Sequence, residues 1–142
     1  MKITKFFSLV ITLFICLQTI VTAKENFFTE GVKLFEQKRY LDSKFKFEQD
    51  IVFNPKNELS YLYLSKIFNN LEKKDLEEQN LKTVILLNPK NEEAIYNLAK
   101  LKLESSDYEK SKELNDKLTN LCNKFCSKSK KLKKEIENLS KK

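Results

Sequence analysis

Asn54-Pro55-Lys56-Asn57 returns, letter for letter, as Asn88-Pro89-Lys90-Asn91. Aligning the chain on the two prolines sets a period of 34 residues, and the apolar positions upstream obey it. Phe27 matches Tyr61, Leu34 matches Phe68, Phe47 matches Leu81, Ile51 matches Ile85 and Phe53 matches Leu87. Each period holds two apolar stripes at helical spacing, interrupted by a polar patch. Asn-Pro closes it, because proline pushes the residue before it into an extended conformation. This pattern predicts helix pairs at 26–37 and 41–53, at 59–71 and 74–87, and at 92–104 and 108–121. Small residues recur on the same period at Gly31, Ser65 and Ala99, where two helices must come close. A single hairpin cannot bury both of its stripes, so the three are expected to stack.

The bulk of the chain agrees. With 41% hydrophobic and 33% charged residues over 142 positions, it has the composition of one folded domain. One glycine and two prolines are too few turn residues for a many-stranded sandwich or barrel. The first 23 residues stand apart: a short basic start, Met1 to Lys5, precedes a charge-free apolar run from Phe6 to Ile20, and Val21-Thr22-Ala23 follows. That is the pattern of a secretory signal cleaved before Lys24, which directs the chain to the periplasm or outside the cell. Retention of the run as a membrane anchor and lipid attachment at Cys16 are the alternatives. The net charge of +7 is concentrated at the other end, where residues 124–142 hold eight lysines against Glu135 and Glu137. Residues 24–123 are then close to neutral.

With these residues in place, the chain resembles the tetratricopeptide repeat family from about Asn26 to Leu121. Phe27, Gly31, Tyr40, Phe47 and Pro55 fall on signature positions of that family, and Phe35-Glu36-Gln37-Lys38-Arg39-Tyr40 looks like its inter-helix turn. The second unit keeps Tyr61, Leu64, Ser65, Phe68, Leu81 and Pro89, with Lys74 where an aromatic is usual. The third has Leu98, Ala99 and a similar turn over Ser106-Asp107-Tyr108-Glu109-Lys110-Ser111, and lacks the closing proline. The resemblance implies an all-α, right-handed superhelix of three hairpins, 24–57, 58–91 and 92–123. The basic helix in 124–142 caps it, with Leu132, Ile136 and Leu139 as its apolar edge.

It also implies a concave groove lined by the first helix of each hairpin. The groove positions are Phe28, Val32 and Phe35 in the first unit, Leu59, Leu62, Lys66, Asn69 and Asn70 in the second, and Glu93, Tyr96, Lys100 and Leu103 in the third. The expected ligand is a protein or peptide segment with apolar anchors. Packing of Phe28 and Phe35 against the preceding chain or a dimer partner is the competing account. Family members that grip a terminal carboxylate do so with basic residues and asparagines where this chain has Phe28, Val32, Tyr63, Glu93 and Asn97. That clamp is missing.

Cys122 and Cys126 are the cysteines left after signal removal. In an unbroken helix, residues four apart hold their Cβ atoms about 5–6 Å from each other, wider than a disulfide tolerates. A bridge therefore requires a helix break between Asn123 and Phe125; otherwise the two remain thiols. A metal site is not expected, since the chain has no histidine and two thiols do not fill a tetrahedral shell. No cofactor and no catalytic residue are expected, because the commonest general base is absent and one glycine cannot build a phosphate loop. The lysine-rich tail carries no interleaved aromatics for nucleic acid, whereas contact with an anionic membrane surface stays open beside its capping role. The function expected is an exported adaptor that binds a partner segment in its groove; the alternative is a structural accessory subunit of a membrane-attached envelope assembly. The sequence leaves the oligomeric state open.

Overall fold

Three residues with φ near +60° punctuate the backbone at Lys38, Glu72 and Ser106, 34 positions apart. Each follows a first helix and lets two amides turn back onto it. Lys38 N–H donates to Phe35 O and Arg39 N–H to Leu34 O, both at 2.9 Å. The same pair of bonds recurs from Glu72 and Lys73 to Asn69 and Phe68, and from Ser106 and Asp107 to Leu103 and Lys102. This is the Schellman closure, which usually employs glycine because a Cβ costs on the order of 1 kcal/mol in the left-handed region. Here three residues with side chains accept it.

The structure, a computed structural model, describes residues 27–140. The expected signal at 1–23, its cleavage before Lys24 and the Cys16 lipid site lie outside the described residues. Seven helices are described: α1 (27–36), α2 (Tyr40–Phe53), α3 (Glu58–Asn70), α4 (Lys74–Leu87), α5 (Glu92–Glu104), α6 (Tyr108–Leu121) and α7 (Cys126–Leu139). The first six lie within one residue of the spans expected from the period. No strand occurs among the described residues.

The asparagine-proline boxes act as stop and start signals together. Asn54 and Asn88 close α2 and α4 outside the helical region, with φ of −136° and −138° and ψ of 68° and 91°, as the following prolines demand. Asn57 and Asn91 then cap the next helices, accepting from Leu59 N–H at 3.2 Å and Ala94 N–H at 2.9 Å.

The chain divides into two compact units after Pro55. In the first, α1 and α2 form one hairpin. Phe47 is fully buried and meets the edge of Phe28 with ring centroids 5.7 Å apart, while Phe27 stacks on Phe53 at the same separation. Gly31 makes this approach possible, since a Cβ there would lie 2.8 Å from the Phe47 ring. Ser43 Oγ reaches across to donate to Gly31 O at 2.8 Å.

In the second unit, two hairpins and α7 share one hydrophobic cluster that runs from Leu62 and Leu81 through Leu98 and Leu118 to Leu132 and Ile136. Ser111 Oγ donates to Ala99 O at 2.8 Å, the same bond that Ser43 makes to Gly31 two periods earlier. Lys102 on α5 pairs with Glu78 on α4 at 2.8 Å and fastens the hairpins to each other. α7 covers the trailing side of α5 and α6. Its first residue, Cys126, is in register with Glu58 and Glu92, so it also stands where the first helix of a fourth unit would stand. Leu132 takes the place of Leu98 and is buried, whereas Lys133 takes the place of Ala99 and is exposed. The small residue is needed only where a second helix packs, and none packs there among the described residues.

Candidate partner-binding face

The first helices carry the expected groove residues, and the structure sorts them. On α1, Phe28 rests on Phe47 and Phe35 on Tyr40, with Val32 half-buried between them. An open cleft of about 510 Å³ lies in the same unit, lined by Leu34 and Phe45 and by the Glu30–Lys46 and Arg39–Asp42 ion pairs.

In the second unit, Leu59 is 44% exposed at the start of α3. Lys66 on α3 and Glu93 on α5 form an ion pair at 2.8 Å that bridges the two first helices. Tyr96 continues the face on α5, half-buried against Phe125 at 5.6 Å between centroids. Lys128 lies over both rings, 4.3 Å from Phe125 and 5.3 Å from Tyr96, and so carries the face onto α7. Lys100 is exposed, with Glu104 a distant partner at 3.5 Å.

Two expected contact residues belong to the core instead. Leu62 is 4% and Leu103 8% exposed, both inside the hydrophobic cluster of the second unit, because neighbouring hairpins close over those positions. Two others are spoken for within the protein. Asn69 donates both of its short amide contacts to the Glu77 carboxylate, at 3.1 and 3.2 Å, and Asn70 donates to Lys66 O at 2.7 Å.

Cys122 and Cys126 are joined as a disulfide across a Cα separation of 5.1 Å. The helix break that this requires is present, since α6 ends at Leu121 and α7 begins at Cys126. The ring also presents three successive backbone N–H groups, from Asn123, Lys124 and Phe125, to the Glu92 carboxylate at 2.9, 2.9 and 2.8 Å. Glu58, one period earlier, accepts instead from the side chains of Asn88 at 2.9 Å and Asn91 at 3.4 Å. The same acid therefore staples each successive turn. Sequence reasoning missed this staple, although the in-register series Lys56, Lys90, Lys124 marks where the third turn falls.

The electrostatics follow from these contacts. Partial burial opposes ionisation of Glu92, but the three N–H donors outweigh it and hold the carboxyl below its usual range. Hydrogen bonds from Lys102 and Lys82 lower Glu78. Burial raises Glu77, against the lowering effect of Asn69. Among the described residues, no cluster of metal-ligating side chains occurs and no helix is long and apolar enough to cross a membrane.

No protein-family model matches the chain, and no curated protein matches it in sequence. Solved structures do match in fold. The TPR2B domain of yeast Sti1, in complex with an Hsp70 peptide, has a TM-score of 0.74 at 14% identity, covering 82% of this chain and 97% of that one. The Yersinia enterocolitica type III secretion chaperone SycD, in complex with a peptide of the translocator YopD, gives 0.73 at 16% identity over 83% and 94%. The first repeat domain of Spaghetti (RPAP3), bound to an HSP90 peptide, gives 0.71 at 17% identity over 82% and 93%. The fold is that of a tetratricopeptide repeat domain.

Proposed function

We propose that this chain is an exported protein-interaction adaptor, which seats a segment of a partner protein on the face formed by the first helices of the second unit, α3 and α5. The observation that carries the reading is the continuity of that face in the second unit. Leu59, the Lys66–Glu93 pair, Tyr96 and Lys100 follow one another across α3 and α5, and Lys128 extends them onto α7. An exposed apolar residue beside charged and aromatic groups is the chemistry of a peptide-binding surface. The three solved domains above, each holding a peptide, lend support by likeness of fold. Export rests on the charge-free run from Phe6 to Ile20 and the small residues at Val21-Thr22-Ala23.

The test is site-directed photo-crosslinking in the native compartment. Probes at Leu59 and Lys100 should trap a protein partner, and probes at Thr83 and Leu86 on α4 should not. Equal trapping from both sets, or none from the first, rejects the adaptor. Mass spectrometry of the mature chain tests export, with Lys24 expected as the first residue.

A further inference from the structure

The place of α7 as a fourth first helix changes the chemistry at the end of the binding face. At the α3–α5 junction, Lys66 meets Glu93 at 2.8 Å. One period on, the corresponding residues are Lys100 and Ser127. The lysine is kept and the interhelical acid is gone, which leaves Lys100 with Glu104 of its own helix at 3.5 Å. In addition, α7 has Lys130 and Lys134 at the places held by Tyr96 and Lys100 on α5. Both are exposed, and no ion pair among the described residues involves any lysine of α7. Glu137 is the acid on that side of α7, a turn further along. Of the apolar edge of the helix, Leu132 and Ile136 are buried beneath it, and Leu139 at its end is exposed.

We propose that the α5–α7 end of the face receives an acidic segment of the partner, with carboxylates taken by Lys100, Lys130 and Lys134. This rests on the adaptor reading and specifies its ligand. The Lys66–Glu93 pair shows that the junction between successive first helices accommodates a lysine–carboxylate contact; at the α5–α7 junction α7 offers Lys100 no such acid, and an outside carboxylate competes only with the longer contact to Glu104 of the same helix, at 3.5 Å. Complementary charge of this kind selects partners and speeds encounter more than it adds affinity, so the effect is graded and salt-dependent.

The experiment measures fluorescence anisotropy of the full chain with a short labelled peptide of glutamate and leucine, and with its glutamine counterpart. The acidic peptide is expected to bind about tenfold tighter, the sum of a few exposed charge contacts. Ser127→Glu supplies the missing acid in cis and should weaken acidic-peptide binding about fivefold; Lys130→Glu with Lys134→Glu should weaken it about tenfold. Lys73→Glu with Lys90→Glu, away from the face, should leave it unchanged. All these positions are exposed, and circular dichroism verifies that the variants fold. Equal binding of the two peptides, or equal loss with the remote lysines, overturns the proposal. So does binding of phosphatidylglycerol vesicles through Lys130 and Lys134 when the peptide shows none. A native partner crosslinked at Leu59 through a neutral segment refutes the acidic ligand and leaves the adaptor standing. Acidic-peptide binding with no native partner on the first helices supports the charge assignment and refutes the adaptor.

Discussion

Glu92, at the start of α5, accepts a hydrogen bond at 2.8 Å from the backbone N–H of Phe125, and the same carboxylate takes the two preceding amides. Its pKa in the folded protein lies below the ordinary 4.5. A depressed carboxyl pKa stabilises the fold above the unfolded value and loses that contribution as pH falls through the folded one. Glu92→Gln should therefore melt at a lower temperature than the natural chain at neutral pH, with the gap closing below pH 4.5. Thermal unfolding followed from neutral to acid pH measures it. A gap independent of pH would show that the charge is irrelevant.

Reduction of the Cys122–Cys126 bridge should loosen the same turn. A ring this short restricts the unfolded chain by about 2 kcal/mol. The expected result is a lower melting temperature in dithiothreitol and faster amide exchange at Asn123 to Phe125, with little change in α3. Uniform exchange across the second unit would contradict a local role.

Gly31 and Phe47 should show strong coupling. Alanine is normally better than glycine inside a helix by about 1 kcal/mol. At Gly31 the added methyl meets the Phe47 ring, so Gly31→Ala should instead destabilise by about 1–3 kcal/mol. Adding Phe47→Leu, the residue found at the matching Leu81, should recover most of the loss. Additive losses in chemical denaturation would refute the coupling.

Glu77 occupies the place that Ser43 and Ser111 fill in the other hairpins, and it is 5% exposed. Burial raises its pKa, and a raised carboxyl pKa favours the fold below the unfolded value, an advantage lost as pH rises through the folded one. Glu77→Gln keeps an acceptor for Asn69 and removes the buried charge. It should stabilise by on the order of 1 kcal/mol at neutral pH, and the difference should vanish in acid. A variant less stable than the natural chain at neutral pH rules this out.

Asn115 stands in register with Phe47 and Leu81, is fully buried, and its Oδ1 has no hydrogen-bond partner among the described residues. Replacing it with leucine restores the apolar residue of the other hairpins. A gain of about 1–2 kcal/mol is expected in urea unfolding. Loss of stability would reveal a polar contact made by the amide.

The period and the helices were legible because each rests on local chemistry. Asn54 and Asn88 stop helices before proline, Asn57 and Asn91 start the next, and Gly31, Ser65 and Ala99 mark the close contacts. The left-handed turns were not, since Lys38, Glu72 and Ser106 carry no common side-chain signal. Leu62 and Leu103 matched groove positions, yet their burial depends on neighbouring elements that one helix cannot announce. The disulfide was open until the end of α6 was known. The role of Glu92 was hidden because its three donors are backbone groups more than 30 residues away.

The changing partners of the small positions bear on how a chain of near-copies avoids mistaking one part for another. Gly31 faces Phe47, whereas the matching places hold Ser65 with Leu81 and Ala99 with Asn115. If α2 paired with α5 rather than α1, the Phe47 ring would overlap the methyl of Ala99. Repeats built from one sequence can exchange helices and trap themselves during folding. In this chain the Phe47 ring fits beside the one residue without a side chain, so a single atom's worth of space keeps the first hairpin loyal to itself.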